Sequence, residues 1–85
     1  MKNYDDGIFF IRDYGHISLK LKEIMDANGI TRNALSKKVN TRFEVINKWY
    51  NNNIENIDLD ILARICFILS CDITDILHYE KPKSE

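Results

Sequence analysis

The sequence contains very few of the residues that interrupt regular structure or cross-link a chain. Its 85 residues include one proline, three glycines and two cysteines. Because helix breakers are scarce, the chain can form uninterrupted helices. Two cysteines five residues apart cannot build the disulfide framework of a small secreted domain. Since 45% of the residues are apolar, we expect one small domain that is held together by a single hydrophobic core.

Long apolar segments and clustered metal ligands are also missing. No apolar run approaches the ~18–20 residues that a membrane-spanning helix requires, and the first residues lack the apolar segment of a signal peptide. We therefore expect a cytoplasmic protein with no membrane association. His16 and His78 have no metal-ligand spacing to each other or to the cysteines, so no metal or other cofactor is expected. Cys66 shares a helix face with Leu62 and Leu69, which indicates a reduced thiol in the core.

The net charge of −1 conceals an uneven distribution along the chain. Between residues 18 and 54, seven Lys and Arg stand against three Asp and Glu, whereas between residues 55 and 85 three stand against seven. The small net charge argues against a general polyanion binder. The basic half could nevertheless meet a phosphate backbone, while the acidic half would point away and limit non-specific binding.

Residues 31–50 have the pattern of two short helices joined by a polar turn. The apolar residues that fall at helical spacing on the inner faces are Leu35, Val39, Ile46, Trp49 and Tyr50. Between them, Asn40 tolerates the left-handed conformation of a tight turn better than other non-glycine residues. Thr31 can cap the first helix, and Thr41 with Glu44 has the spacing of a capping box for the second.

Three further helices surround this pair in the predicted fold. The first runs from residue 17 or 18 to residue 28 and ends at Gly29, and one of its faces carries Ile17, Leu21, Ile24 and Met25. The fourth follows a cap at Asp58, and its predicted core face consists of Leu59, Leu62, Ala63, Cys66 and Leu69. The fifth follows a cap at Asp72 and docks through Ile73, Ile76 and Leu77.

The run Leu35-Ser36-Lys37-Lys38-Val39-Asn40-Thr41-Arg42, followed without insertion by Ile46 and Trp49, resembles the helix-turn-helix of the Cro/C1-type, lambda-repressor-like (XRE) family. Residues 57–62 and 69–77 resemble the fourth and fifth helices of that family. The resemblance implies an all-α, five-helix bundle over residues 17–79, preceded by a short extended or β arm at 1–16 and followed by a tail at 80–85. The sequence departs from the family pattern at Asn40, which replaces the turn glycine, at Arg32, which replaces a common glutamine, and at Arg42, which replaces the usual serine cap.

The resemblance also implies a function, which is sequence-specific binding of double-stranded DNA by a transcriptional regulator, most simply a repressor. The third helix, about residues 42–51, would read bases in the major groove. The implied phosphate contacts are Arg32, Asn33, Arg42 and Asn51. The implied base contacts are Phe43, Glu44, Asn47 and Lys48. Phe43 could pack on a thymine methyl group, Glu44 could accept from cytosine N4, and Lys48 could donate to guanine.

Each of these assignments has a purely structural alternative. Glu44 could only close the capping box, Phe43 could be a half-exposed apolar contact for the arm, and Lys37 and Lys38 could only solvate their helix. The whole domain could also serve as a protein-interaction or antitoxin-like module that retains the fold. An enzyme is not expected, because the sequence has no nucleophile with a neighbouring base, no glycine-rich phosphate loop and no room for a small-molecule pocket.

The arm carries an apolar run that the five-helix core does not require. It consists of Ile8, Phe9, Phe10 and Ile11, between turn signals, and such a run favours a strand or extended segment. A helical domain is not expected to offer this strand a sheet, so residues 8–14 could pair with the same arm of a second copy and build a homodimer. Alternatively, the arm could pack on helices 1 and 5 of its own chain.

Overall fold

The computed structural model describes residues 13–82. In chain order the elements are β1 (His16–Leu19), α1 (Leu21–Asn28), α2 (Arg32–Lys38), α3 (Phe43–Tyr50), α4 (Leu59–Leu69), α5 (Ile73–Ile76) and β2 (Leu77–Glu80). The prediction of a helical fold with five helices is confirmed. The fold also contains a short two-stranded sheet of β1 and β2. Within residues 13–82 no helix is both long enough and apolar enough to cross a membrane.

One hydrophobic core joins all five helices and β1. Its buried apolar residues are Leu19, Leu21, Met25, Leu35, Val39, Ile46, Trp49, Leu62, Ile65 and Ile76. Val39 from α2 and Ile46 from α3 belong to this same core, and Trp49 is only 3% exposed. The spacing of apolar residues in the helix pair therefore predicted its inner faces correctly.

The helix ends follow the capping chemistry that the sequence indicates. The Thr31 hydroxyl accepts from the Ala34 amide at 3.1 Å, and Gly29 adopts the left-handed conformation after α1, with φ of 67°. Asp58 caps α4 through its carboxylate. Asp72 and Asp75 form a reciprocal capping box at the start of α5. These four terminal signals were predicted correctly because each depends only on neighbours along the chain.

The start of the first helix was predicted wrongly. Residues 16–19 form β1, and α1 begins only at Leu21. Ile17, which was expected on the buried face of a helix, is 58% exposed. The strand forms because β2 lies antiparallel beside it, with His16 opposite Glu80 and Leu19 opposite Leu77. The Lys20 amide continues the ladder by donating to the Ile76 carbonyl at 2.7 Å.

The prediction for residues 73–77 also missed a strand. The fifth helix ends after four residues, and Leu77 begins β2. This domain therefore does provide a strand that pairs with β1. The segment predicted at residues 8–14 lies largely outside the described part. Its last two residues, Asp13 and Tyr14, do not belong to a strand. Ile8, Phe9, Phe10 and Ile11 fall before residue 13, so the predicted arm stays a prediction.

The core face of α4 also differs from the prediction. Leu59 is 73% exposed and Ala63 is exposed, whereas Ile65 is fully buried beside Leu62. Cys66 and Leu69 are only partly buried. The helix packs on α1 through the side that holds residues 62 and 65. An apolar stripe that includes Leu59 and Phe67, the latter 82% exposed, therefore faces outward.

A tight turn leads into β1 and lies against the end of β2. The Gly15 amide donates to an Asp13 carboxylate oxygen at 2.9 Å, and the Tyr79 hydroxyl donates to the Tyr14 carbonyl at 2.7 Å. Gly15 has φ of 83°, and a Cβ there would collide with the Glu80 carbonyl oxygen. The position thus requires glycine both for its conformation and for its close approach to β2.

Candidate nucleic-acid interface

The turn between α2 and α3 is held from two sides. Asn40 has φ of 57°, as its sequence context predicted. The Thr41 amide donates to the Ser36 carbonyl at 2.9 Å. Arg64 of α4 donates from Nη1 to the Val39 carbonyl at 2.9 Å and to the Asn40 carbonyl at 3.4 Å. Carbonyls at a helix end lack partners within the helix, so the Arg64 guanidinium satisfies the carbonyls that follow α2 and joins the turn to α4.

The start of α3 does not use the predicted capping box. The N-cap is Arg42, which is extended and whose side chain forms no cap hydrogen bond, and α3 begins at Phe43. Thr41 therefore lies one position too early to cap the helix. Glu44 is the second helical residue and is exposed, so its carboxylate is free of the capping role and lies in the first turn, where negative charge is favourable.

The predicted contact residues lie on α3, on its flanks and at the start of α2. Arg42, Glu44, Lys48, Asn51 and Asn33 are exposed, Phe43 is 42% exposed, and Asn47 and Arg32 are half-buried. Direct contacts join Arg32, Phe43, Asn47 and Asn51 into one group. Glu44 and Lys48 are one helical turn apart on α3. The structure therefore joins four of the eight predicted residues through direct contacts. The other four are exposed, and they are Asn33, Arg42, Glu44 and Lys48.

Arg32 has a role that the sequence did not reveal. Its Nη1 donates to Oδ1 of Asn47 at 2.7 Å. The guanidinium carbon lies 4.7 Å from the ring centroid of Tyr50 and 5.9 Å from that of Phe43. Both distances fall in the range of cation–π contacts. The first residue of α2 thus contacts three residues of α3 that follow one another at intervals of about one helical turn.

Tyr50 extends this arrangement to α1. Its hydroxyl donates to Asp26 Oδ1 at 3.0 Å, and Lys22 Nζ donates to Asp26 Oδ2 at 3.1 Å. The hydrogen bond from Lys22, followed by that from Tyr50, lowers the pKa of Asp26, and the same carboxylate raises the pKa of Lys22. The sequence pattern identified Tyr50 only as a core residue. Its polar role depends on a helix that lies 24 residues earlier.

Two basic residues lie at the end of α2. Lys37 and Lys38 occupy the last turn of α2 and are exposed. Positive charge in the last turn interacts favourably with the helix dipole. Among residues 13–82 no three His, Cys, Asp or Glu side chains are placed to hold a metal ion. The chemistry of this surface is therefore that of hydrogen-bond donors, one carboxylate, aromatic rings and positive charge.

Comparison with known proteins identifies the fold. The family model of the Cro/C1-type helix-turn-helix DNA-binding domain matches residues 20–82. A crystal structure of the transcriptional regulator VanUg is similar with a TM-score of 0.65 at 24% sequence identity, covering 85% of this chain and 96% of that one. This likeness shows a shared fold. No curated protein matches the sequence significantly.

Proposed function

Because the chain belongs to the family of Cro/C1-type helix-turn-helix DNA-binding domains, we propose that it regulates transcription by reading an operator with α3. The family consists of DNA-binding domains rather than enzymes, as expected from the sequence. The observation that carries the proposal is the outer side of α3, where a short helix presents Phe43, Glu44 and Lys48 beside the turn that Arg64 fixes. A helix of this kind fits the major groove and reads bases near its N-terminus.

The proposed contacts divide into base readers and phosphate binders. Phe43 would contact a thymine methyl group, Glu44 would accept from cytosine N4, and Lys48 would donate to guanine. The phosphate binders would be Arg32, Asn33, Arg42 and Asn51. A guanidinium has five donor hydrogens, so Arg32 can bind Asn47 and a phosphate at the same time. The positive charge of residues 18–54 would make the affinity depend on salt.

We propose repression and a cytoplasmic location as the finer part of this function. A small domain that occupies an operator excludes other proteins from the same DNA by steric overlap. Activation would require an additional contact with the transcription machinery, and the proposal does not need one. Operator DNA of a bacterial or phage regulator lies in the cytoplasm, where the protein would act.

We further propose that the active form is a homodimer, since one short helix reads only a few bases and paired half-sites supply the rest. Two exposed apolar side chains, Ile17 and Tyr79, lie opposite each other on the two-stranded sheet. In the sequence, the apolar run at residues 8–11 precedes β1 by only a few residues. A second copy that covered both would remove these two apolar side chains from water.

A protein-interaction or antitoxin-like module is the second candidate. The observation in its favour is the outward stripe of α4, where Leu59 is 73% and Phe67 is 82% exposed. A partner that covered these side chains would not require α3 to touch DNA. The two candidates therefore make opposite predictions about DNA selection.

The decisive experiment is selection of bound fragments from a random double-stranded DNA library, using the whole chain. We expect an enriched motif with two half-sites about 10–10.5 base pairs apart, or a multiple of this spacing. Affinity for the motif should fall as a power of salt concentration. Lys81→Ala serves as a control variant that should enrich the same motif as the parent, since this exposed lysine lies beyond β2. A chain that enriches no motif at moderate salt would refute the proposal and favour the interaction module.

A further inference from the structure

The orientation of the Asn47 side chain is determined by its neighbours. Arg32 Nη1 lies 2.7 Å from Oδ1 of Asn47, and a guanidinium has donors but no acceptor. The amide oxygen, and not the nitrogen, must therefore face Arg32. Asn51 Nδ2 approaches the same oxygen at 3.3 Å while donating to the Asn47 carbonyl at 3.0 Å. A carbonyl oxygen has two lone pairs, and both have a donor here.

We infer that Arg32 is a positioning residue that makes Asn47 a hydrogen-bond donor toward DNA and thereby sets base preference. This inference rests on the proposed reading of bases by α3. Asparagine recognises adenine through two bonds, in which Nδ2 donates to N7 and Oδ1 accepts from the N6 amine. With Oδ1 occupied by Arg32 and Asn51, the second bond is lost. Asn47 is only half-buried, so Nδ2 can donate to an outside acceptor.

Of the two purines, the one whose major-groove edge suits a donor without an acceptor is guanine. Guanine presents two acceptors, N7 and O6, in the major groove, whereas adenine presents an amine that would meet an occupied oxygen. The Arg32 guanidinium would also repel the partly positive adenine amine and attract the O6 oxygen of guanine. We therefore expect guanine at the base that Asn47 faces.

The Arg32 guanidinium also lies near two aromatic rings. Tyr50 lies 4.7 Å away and is held by Asp26, and Phe43 lies 5.9 Å away on the other side of Asn47 along α3. A planar guanidinium can stack on these rings while donating in its plane to Asn47. A lysine ammonium has no such plane. Arg32 therefore acts on Asn47 through geometry as well as through charge.

The test compares binding-site selections, with sequencing, for the whole parent chain and for single variants. Asn47→Ala identifies the base position that Asn47 reads. Arg32→Met keeps an apolar stem but removes every donor, and it should lower the guanine-to-adenine ratio at that position roughly ten-fold. Arg32→Gln can still donate to Oδ1 and should restore guanine. Arg42→Met is the matched control, since Arg42 is exposed at the N-cap, and it should weaken all sequences alike.

The outcomes separate the inference from the proposed function. If Arg32→Met retains the guanine preference of the parent, the inference is wrong while DNA reading stands. If the parent chain enriches no motif, the proposed function itself is refuted. If Arg32→Met does not fold, as judged by circular dichroism, Arg32→Leu takes its place. Loss of guanine preference in Arg32→Leu with recovery in Arg32→Gln supports the inference, and parent-like preference in Arg32→Leu overturns it.

Discussion

Single side chains on α3 differ in how freely they can meet DNA. Asn47 and Asn51 are bonded to each other, and Asn47 is bonded to Arg32. Glu44 and Lys48 are exposed on the same helix. The bonded residues are pre-oriented and lose little entropy on binding, whereas the exposed ones must be ordered by the DNA itself. Under the proposed function, specificity at this surface would combine pre-oriented side chains with exposed side chains that the DNA must order.

Lys48 is the residue for which a local effect on recognition is expected. Lys48→Ala should weaken binding to the selected motif by about 1–3 kcal/mol and relax one base position. Alanine is a strong helix former, so α3 should be preserved. Titration of the motif and of single-base variants, followed by fluorescence anisotropy, would measure both effects. Equal affinities of variant and parent for all these DNAs would show that Lys48 is not a base contact.

Cys71 is expected to be an unreactive thiol. Burial, with a smaller contribution from Cys66, raises its pKa to about 11 from an ordinary value near 9.0. The thiolate fraction at about pH 8 should then be roughly 100-fold lower than in an exposed cysteine. Alkylation by iodoacetamide, followed by mass spectrometry, should be slow at this pH and should accelerate steadily up to about pH 11. If Cys71 were alkylated as fast in the folded chain as in the chain unfolded by urea, the prediction would be wrong.

The residues of the core were more predictable than those of the interface network. Spacing alone identified Leu35 on α2 and Ile46 and Trp49 on α3, since helix geometry places the apolar residues of each helix on one face of it. The contact of Arg32 with Tyr50 joins α2 to α3, and no local pattern marks it. Arginine at the start of a helix is equally compatible with solvent, phosphate or an aromatic ring. The identity of its partner is decided by the angle between the helices.

Among the elements, those with local causes were predicted and those with distant partners were not. Ile17 and Leu21 have helical spacing, so residues 17–20 were predicted to be helical. They belong largely to β1 because β2, which is distant in the sequence, pairs with them. The faces of α4 were misjudged for a different reason. Nine of the 11 residues in LDILARICFIL are apolar, so the helix is apolar on nearly every side, and the sequence alone does not determine which side is buried.

The two-stranded sheet should respond to acid through Glu80. The Ser18 hydroxyl donates to Glu80 Oε2 at 2.8 Å, and Lys20 Nζ lies 3.6 Å from the same atom. The hydrogen bond from Ser18, followed by the charge of Lys20, lowers the pKa of Glu80 below its ordinary 4.5. A carboxylate with a lowered pKa in the folded state stabilises the fold above its unfolded pKa. This contribution disappears as pH falls through the folded pKa.

Glu80→Gln should remove that part of the acid sensitivity. Urea unfolding of parent and variant between about pH 7 and pH 3 should show a smaller loss of unfolding free energy in the variant. Glu55→Gln, in the loop before α4, provides the control. An unfolding free energy that falls as steeply in Glu80→Gln as in the parent would exclude this role of Glu80.

At the scale of the whole molecule, the arm prediction concerns assembly. Deleting residues 1–13 removes the apolar run that leads to the exposed sheet surface of Ile17 and Tyr79. We expect the full chain to be a dimer at high micromolar concentration and the shortened chain to be a monomer, as measured by sedimentation equilibrium. Each buried apolar side chain contributes roughly 1.5–3 kcal/mol before the entropy of ordering is subtracted.

Two results would exclude the dimer arm. One is a shortened chain that stays dimeric, and the other is a full-length chain that is monomeric at the same concentration. If both forms are monomeric and the shortened one unfolds at a lower urea concentration, the arm packs on its own bundle. Asp13 accepts a hydrogen bond from Gly15, so a shorter deletion of residues 1–12 serves as the control for the turn itself.

The pairing of β1 with β2 joins segments at opposite ends of the described chain, and Ser18 and Glu80 are separated by 62 positions. Closing a loop of this length costs roughly 3–4 kcal/mol of chain entropy, whereas the helix-turn-helix forms from near neighbours. The sheet should therefore be absent from the folding transition state. Ser18→Ala should accelerate unfolding and leave the folding rate almost unchanged in stopped-flow measurements. The two strands would then pair late in folding, and their pairing would determine how long the native state lasts before it unfolds.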